Sequence, residues 1–539
     1  RLTMQIQDLS YTLNNDKLDF KDYQISIEVF SLENVYTIEP QTLLKKGNHY
    51  HSDHLLWGNS ESVLGNVDIL VEEKEDHRAF QMEAQLEQNI RSIKLRFDHL
   101  PLGKYISSTD EEKEVTEHGL LFKYPEGWRS LSTPLLVFEL KNGQYLYISV
   151  KDKQIRQKIF YMKKVEDMMR LDVVMECDGT EISTHFKTPI VECGIKNTIE
   201  EIVLEHSNFI KNAYGLEEYA TCSIAPSWLK DIALVVTMHM ETFTGFIFHT
   251  YEQALKDMKK ITTYLDGKNI LVYLAGWEGR YYYKYGNYTP DERMGGAKKL
   301  KELVDGLHAL GCKVMAMYGM NMVNHNIPAL KDIVPVAEFQ SVSGAKYHCG
   351  SVDWEGAHHY DFNELSQLNV GCKVYQDYLF NQIKKATVEF DFDGAFLDIA
   401  ACFTNDKNYK LYDGVVELCD RLRTIKKDFL VSGEGYYDGL AKAMPLFQSG
   451  HTDGWLHYHD RFSPLLFTRF AREFAHLCLG DVGRGSSGVH ELGTNTETMT
   501  PLREGIIPTL SLVENTIPDY FEKVKVILDQ AKEYKRRFL

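Results

Sequence analysis

From about residue 226 onward, short apolar runs alternate with longer amphipathic stretches, and this rhythm limits the folds open to the chain more than any other feature. The runs are IALVVTM (232–238), NILVYLAGW (269–277), KVMAMYG (313–319), GAFLDI (394–399), FLVSGE (429–434), PLFQSG (445–450), a weaker HLCLG (476–480) and IIPTLSL (506–512). Helical spacing fills much of the sequence between them, as in AKKLKELVDGLHALG (297–311) and YDGVVELCDRLRTIKKD (412–428), and PDYFEKVKVILDQAKEYKRRF follows the last run. Parallel strands need a crossover, usually a helix, between each pair. Eight such units predict an α/β TIM barrel, (β/α)8, over 226–539 with an insertion at about 336–375. An open doubly wound sheet is the alternative. It calls for fewer strands and a phosphate loop after the first, and VTMHMETFTG is not such a loop.

Before residue 197 the dominant period is two. YQISIEVF (23–30), NVDILVEE (66–73) and RSIKLRF (91–97) alternate, or run apolar with charged neighbours. PLLVFELKNGQYLYISV (134–150) predicts a hairpin with a type I′ turn at Asn142-Gly143. RLDVVMECDGTEISTHF (170–186) predicts another at Asp178-Gly179. Many short strands with turn signals between them predict an antiparallel all-β sandwich domain over 1–197, preceding the barrel. Residues 198–214 switch to helical spacing, which makes 198–225 a helical connector.

Composition excludes several classes. The net charge is −17 and no basic stripe is present, so nucleic acid and anionic membranes are poor partners. No stretch approaches the roughly 18 apolar residues of a membrane helix, which predicts a soluble protein. The nine cysteines form no C-x-x-C pair, and Cys312, Cys372 and Cys478 sit in apolar runs. They read as buried thiols in a reducing, cytoplasmic setting; Arg1 in place of an initiating Met leaves export open. GRGSSG (483–488) matches the dinucleotide pattern only formally, because it opens no clear helix and follows the poorest strand. It reads as a loop at the barrel mouth. No G-x-S-x-G elbow, Walker loop or H-E-x-x-H occurs. His358, His359 and Asp361 invite a metal reading, yet such a run does not by itself converge on an ion. No metal and no cofactor is therefore expected, and oligomerisation stays open.

Two acids carry the chemistry. In FDGAFLDIA (392–400) an apolar run ends in Asp398, and in LVSGEGYYDG (430–439) another ends in Glu434. They close the fourth and fifth predicted strands, and barrel chemistry sits at the carboxyl ends of strands. Neighbouring parallel strands lie about 4.8 Å apart, so their tips can hold two carboxyls at the spacing of about 5–5.5 Å that a retaining glycosidase uses. A helix cap is the competing role for Asp398, but the next helical pattern begins well beyond FTNDKNYK. Glu434 lies between Gly433 and Gly435, where a cap has little use. Asp391 and Asp393 precede the fourth strand, at its amino end, and read as structural.

These two segments resemble the fourth- and fifth-strand signatures of retaining α-glycoside hydrolases of the alpha-amylase-like and endo-alpha-N-acetylgalactosaminidase-like kinds, which carry an Asp nucleophile and then a Glu acid/base. The plan of a sandwich followed by a barrel is similar to that of alpha-glucosidase and melibiase-type enzymes. Melibiase-type enzymes use Asp in both roles, so Glu434 departs from them. The resemblance implies α-linked glycosides as substrates, Asp398 as nucleophile and Glu434 as general acid/base. A transglycosylase with the same machinery and a non-catalytic carbohydrate-binding protein are the alternatives.

Other polar and aromatic residues gather at predicted strand ends, where they are candidates to bind a carbohydrate. These are His239 after the first strand, Trp277, Glu278 and Arg280 after the second, and Tyr318 and Asn321 after the third. Tyrosines crowd residues 281–285 as a sugar-stacking lip or a packed loop. Asp353 and Trp354 lie in the insertion, and Tyr436 follows Glu434. His451, Asp453 and Trp455 follow the sixth strand, with Asp453 the choice for orienting sugar hydroxyls.

Overall fold

The computed structural model of the protein describes residues 23–38, 43–57, 61–106, 112–126, 131–242, 244–279, 282–346, 348–349, 365–448, 466, 468–474 and 502–539. Eight parallel strands form one sheet: β1 (Leu234–His239), β2 (Ile270–Ala275), β3 (Lys313–Gly319), β4 (Gly394–Asp398), β5 (Leu430–Glu434), β6 (Leu446–Gln448), β7 (Arg472–Phe474) and β8 (Thr509–Leu512). Each of β1 to β7 pairs with the next in sequence, apart from β7 with β8, and β8 pairs back onto β1. A parallel bridge between Glu473 and Ile506, just before β8, joins the two ends and brings the ring to closure. Helices Tyr251–Ile261, Gly296–Ala309, Lys373–Phe390, Leu411–Leu422 and Thr516–Phe538 run between or after the strands. Strands buried on both faces need unbroken apolar runs, and β2 and β4 are buried at every position.

The seventh strand differs from its expected place. HLCLG (476–480) lies outside the described residues, and the strand found is Arg472–Phe474, with a single apolar residue. Its burial comes from its neighbours in the ring, which local composition does not report.

The preceding residues form one fifteen-stranded antiparallel sheet around a separate apolar cluster. Strand His77–Pro101 is its spine. Its first part pairs with Glu61–Glu73 and Ile190–Lys196, and its second part with Gln24–Ser31 and Met168–Glu176. The sandwich is thus one sheet folded over its own core. Strands Leu135–Leu140 and Tyr145–Lys151 form the first expected hairpin. Its turn is not type I′: only Gly143 takes a positive φ, 81°, and the Gly143 N–H closes a turn onto Leu140 O. The second expected hairpin is absent. Met168–Glu176 pairs with Lys158–Val165, while Ser183–Lys187 joins the spine. Gly179 serves instead for close approach, since a Cβ there would stand 2.4 Å from Asp406 O of the barrel.

Helix Ile199–Tyr214 connects the two parts. Thr198 and Glu201 form a reciprocal capping box at its start, and Gly215 ends it in the left-handed region. Val334–Ala337 and a small sheet of Met322–Asn324, His348–Cys349 and Leu365–Gln367 represent the insertion among the described residues. Cys312 and Cys372 are buried, as expected; Cys478 lies outside the described residues. Among the described residues no helix is long and apolar enough to cross a membrane.

Candidate active site

The barrel interior is closed by an aromatic plug. Tyr273 of β2 and Phe396 of β4 lie 4.4 Å apart, and Phe474 of β7 packs on both. Residues two apart on a strand share a face, so Asp398 stands on the side of Phe396, at the carboxyl end of β4. The register pairs Leu397 with Gly433, which sets Asp398 level with Glu434 at the tips of adjacent strands. Both side chains are buried, at 5% and 3% exposure. They share a side-chain hydrogen bond. Ionised carboxylates only accept, so a hydrogen bond between two carboxyls requires a proton. Burial, and then the Glu434 charge beside it, push the Asp398 carboxyl well above the ordinary range.

The surrounding backbone is shaped to this pair. Ile399, directly after Asp398, adopts φ 56°, a conformation that costs a β-branched residue on the order of 1–3 kcal/mol. This turn aims the Ile399 N–H at Glu434 Oε2, 3.2 Å away. The buried Asn321 holds the turn from behind, donating its amide to Ile399 O at 3.0 Å and Cys402 O at 3.4 Å. Asn321 therefore acts on the loop backbone.

Tyr285 donates its hydroxyl to Asp398 Oδ2. Its approach depends on Gly319, the partner of Asp398 on β3, because a Cβ there would fall 2.2 Å from the Tyr285 ring. Tyr288 fixes the same strand end by exchanging hydrogen bonds with Gly319 N and O. Tyr285 was legible only as one of the tyrosines of 281–285. The density of that cluster suggested a stacking lip, whereas Tyr285 is fully buried and packs edge-on against Tyr282.

The other expected residues divide into three groups. His239 lies at the end of β1 and hydrogen-bonds Ser511 of β8 at 2.6 Å. Tyr436 is buried against Phe447 beside the Glu434 loop. Trp277 and Tyr318 do not offer open faces for a sugar. Trp277 is wholly buried, donates to Met317 O at 2.9 Å and packs on Tyr318, Phe390 and Phe392, while Tyr318 also packs on Tyr288. Their aromatic surface is consumed by the core. Glu278 is 1% exposed, and burial holds its carboxyl well above the ordinary range. Nearby Glu241, with Asp291 against it, is pushed up to about 8, first by burial. Arg280, Asp353, Trp354, His451, Asp453 and Trp455 lie outside the described residues, as do His358, His359, Asp361 and GRGSSG. Among the described residues no group of His, Cys, Asp and Glu is arranged to hold a metal ion. Asp391 and Asp393, at the amino end of β4, bind Lys426, and Asp393 also binds His308 at 2.7 Å, a structural arrangement.

A parallel eight-stranded barrel behind an antiparallel sheet, with two carboxyls at the tips of β4 and β5, defines the class of fold. No family model matches the sequence, and no curated protein does. Among solved structures, the alpha-N-acetylgalactosaminidase NagBb from Bifidobacterium bifidum in complex with GalNAc is similar at a TM-score of 0.66 and 10% identity, over 97% of this chain and 90% of that one. The galactosidase domain of the alpha-galactosidase-sucrose kinase AgaSK is similar at 0.51 and 14% identity, over 97% and 73%. A variant of the GH36 alpha-galactosidase AgaA from Geobacillus stearothermophilus, in complex with raffinose, gives 0.51 and 12%, over 97% and 75%. The likeness is one of fold.

Proposed function

We propose that the protein is a retaining glycoside hydrolase acting on α-linked galactose or N-acetylgalactosamine glycosides, with Asp398 as nucleophile and Glu434 as general acid/base. The observation that carries this reading is the hydrogen-bonded carboxyl pair at the tips of β4 and β5. The fold shared with an alpha-N-acetylgalactosaminidase and two alpha-galactosidases favours the α linkage and the galactose-type sugar.

A sugar entering between the carboxyls breaks their hydrogen bond and parts them toward the separation of about 5–5.5 Å found in retaining pairs. The shared proton must then stay on one of them. The Tyr285 hydroxyl favours ionised Asp398, so the proton remains on Glu434. Asp398 then attacks the anomeric carbon as Glu434 protonates the departing glycosidic oxygen. In the second half, the Glu434 carboxylate removes a proton from water, which attacks the same carbon and releases Asp398. Asn321 and the Ile399 turn hold the two acids in register.

Aryl α-galactosides and aryl α-N-acetylgalactosaminides test the assignment. Asp398→Ala should lower turnover by on the order of 10³ or more, and added azide should restore cleavage with a glycosyl azide as product. Glu434→Gln should slow alkyl glycosides far more than activated aryl ones. Both variants cleaving an aryl glycoside at the parental rate would rule the assignment out. Products formed with and without added sugar acceptors separate hydrolysis from transglycosylation.

A further inference from the structure

The loop that carries Glu434 out of the barrel is tied to the amino-terminal sheet by a buried polar chain. Its far end is Asp438, 1% exposed. The Asp438 N–H donates to Ser132 O at 2.7 Å. Its carboxylate accepts from the Tyr124 hydroxyl at 2.5 Å, the Thr133 hydroxyl at 2.9 Å and the Gly439 N–H at 2.7 Å. Ser132, Thr133 and Tyr124 all belong to the sheet side. Behind Thr133, His206 Nε2 lies 2.7 Å from the Thr133 hydroxyl, and His206 Nδ1 lies 3.0 Å from Ser149 Oγ.

The donor directions follow from counting protons. Thr133 has a single hydroxyl proton, which it gives to Asp438, so His206 Nε2–H donates to Thr133 and His206 Nδ1 accepts from Ser149. Every donor in this chain points toward Asp438. A terminus that only accepts is what an ionised carboxylate supplies. Packing follows the same contact: a Cβ at Gly439 would stand 2.6 Å from Ile155 Cδ1 of the sheet side. On the barrel side, Gly435 N donates to Gln448 O at 2.7 Å, Ala401 N to Glu434 O at 3.0 Å and the Tyr412 hydroxyl to Gly439 O at 2.8 Å. The Glu434–Asp438 segment is therefore held at one end by the barrel and at the other by the sheet.

We propose that the amino-terminal sheet sets the position of the Glu434 carboxyl through Asp438, which makes Asp438 a positioning residue for proton transfer to the leaving group. The inference rests on the role given to Glu434 above. It assigns the sheet a part in catalysis without contact between the sheet and the reacting atoms.

Asp438→Asn in the full chain is the test. The variant keeps the side-chain size, but its amide N–H2 must face a hydroxyl that now donates, so the tie breaks without leaving a cavity. Two readouts apply. Amide hydrogen exchange over residues 435–443 should quicken by about tenfold or more, while β2 is unchanged. Turnover of an alkyl α-glycoside should fall on the order of tenfold to a hundredfold, turnover of an activated nitrophenyl α-glycoside much less, and KM little. Thr133→Val should act in the same direction, and it decides the matter together with Tyr124→Phe where Asp438→Asn does not fold. Unchanged exchange, or equal losses on the two substrates, would overturn the proposal. A parent chain that cleaves no α-glycoside defeats the reading of Glu434; the tie itself is then judged by exchange alone, and unchanged exchange refutes it.

Discussion

Replacing Tyr285 with Phe removes one hydroxyl and leaves the ring that fills the space beside Gly319. The lost interaction is the hydrogen bond to Asp398 Oδ2. A hydrogen bond to a charged group contributes about 1.5–3 kcal/mol. At about 1.4 kcal/mol per pKa unit, this amounts to roughly one to two units. The sign follows from which form the hydroxyl favours. It donates to the ionised carboxylate, so its loss raises the pKa at which Asp398 ionises, adding to the effects of burial and of Glu434. Nucleophilic attack needs the ionised form, so the acidic limb of kcat/KM should move to higher pH by about one to two units. That limb reports the pair as a coupled system, since the two carboxyls titrate together. The assay is kcat/KM for an aryl α-galactoside against pH, with the fold checked by circular dichroism. An acidic limb that stays in place, or moves to lower pH, would refute the role given to Tyr285.

Gly319→Ala should reproduce part of the same shift by pushing the Tyr285 ring away from Asp398, and the pH profile of that variant checks it. Trp277→Ala should destabilise the fold by about 3–5 kcal/mol, because the ring is wholly buried; a midpoint of urea unfolding near that of the parent would return Trp277 to the role of a sugar platform. Although burial opposes it, the contacts of Asp393 with His308, Lys426 and the Val314 N–H hold its carboxyl below the ordinary value. This stability is present above the unfolded carboxyl pKa of about 3.9 and is lost as pH falls through the lower folded value. Asp393→Asn should therefore be less stable than the parent at neutral pH, with the gap closing in acid, as urea midpoints across that range can show.

The barrel was legible because strands buried on both faces leave unbroken apolar runs, and the two acids because each ends such a run. β7 was not, since Arg472-Glu473-Phe474 owes its burial to its neighbours in the ring. The glycines misled for a related reason. Asn142-Gly143 and Asp178-Gly179 look alike locally, but Gly143 closes a turn while Gly179 makes room for Asp406 O on another part of the chain. The tyrosines of 281–285 announced an unusual loop, yet composition could not say that Tyr285 turns inward to Asp398 while Trp277 vanishes into the core. The left-handed turn at Ile399 left no sequence signal, since a β-branched residue is the last choice for that conformation. Likewise the tie from Asp438 to Tyr124 and Thr133 joins residues far apart in the chain, which no local pattern encodes.

The account centres on a covalent bond formed at Asp398. Incubation with a fluorinated α-galactosyl fluoride, which slows breakdown of a glycosyl-enzyme, followed by peptide mass spectrometry, tests it most directly. The predicted result is one added sugar on the peptide that contains Asp398, absent from Asp398→Ala. A sugar bound to another residue, or turnover by inversion with no adduct, would contradict it.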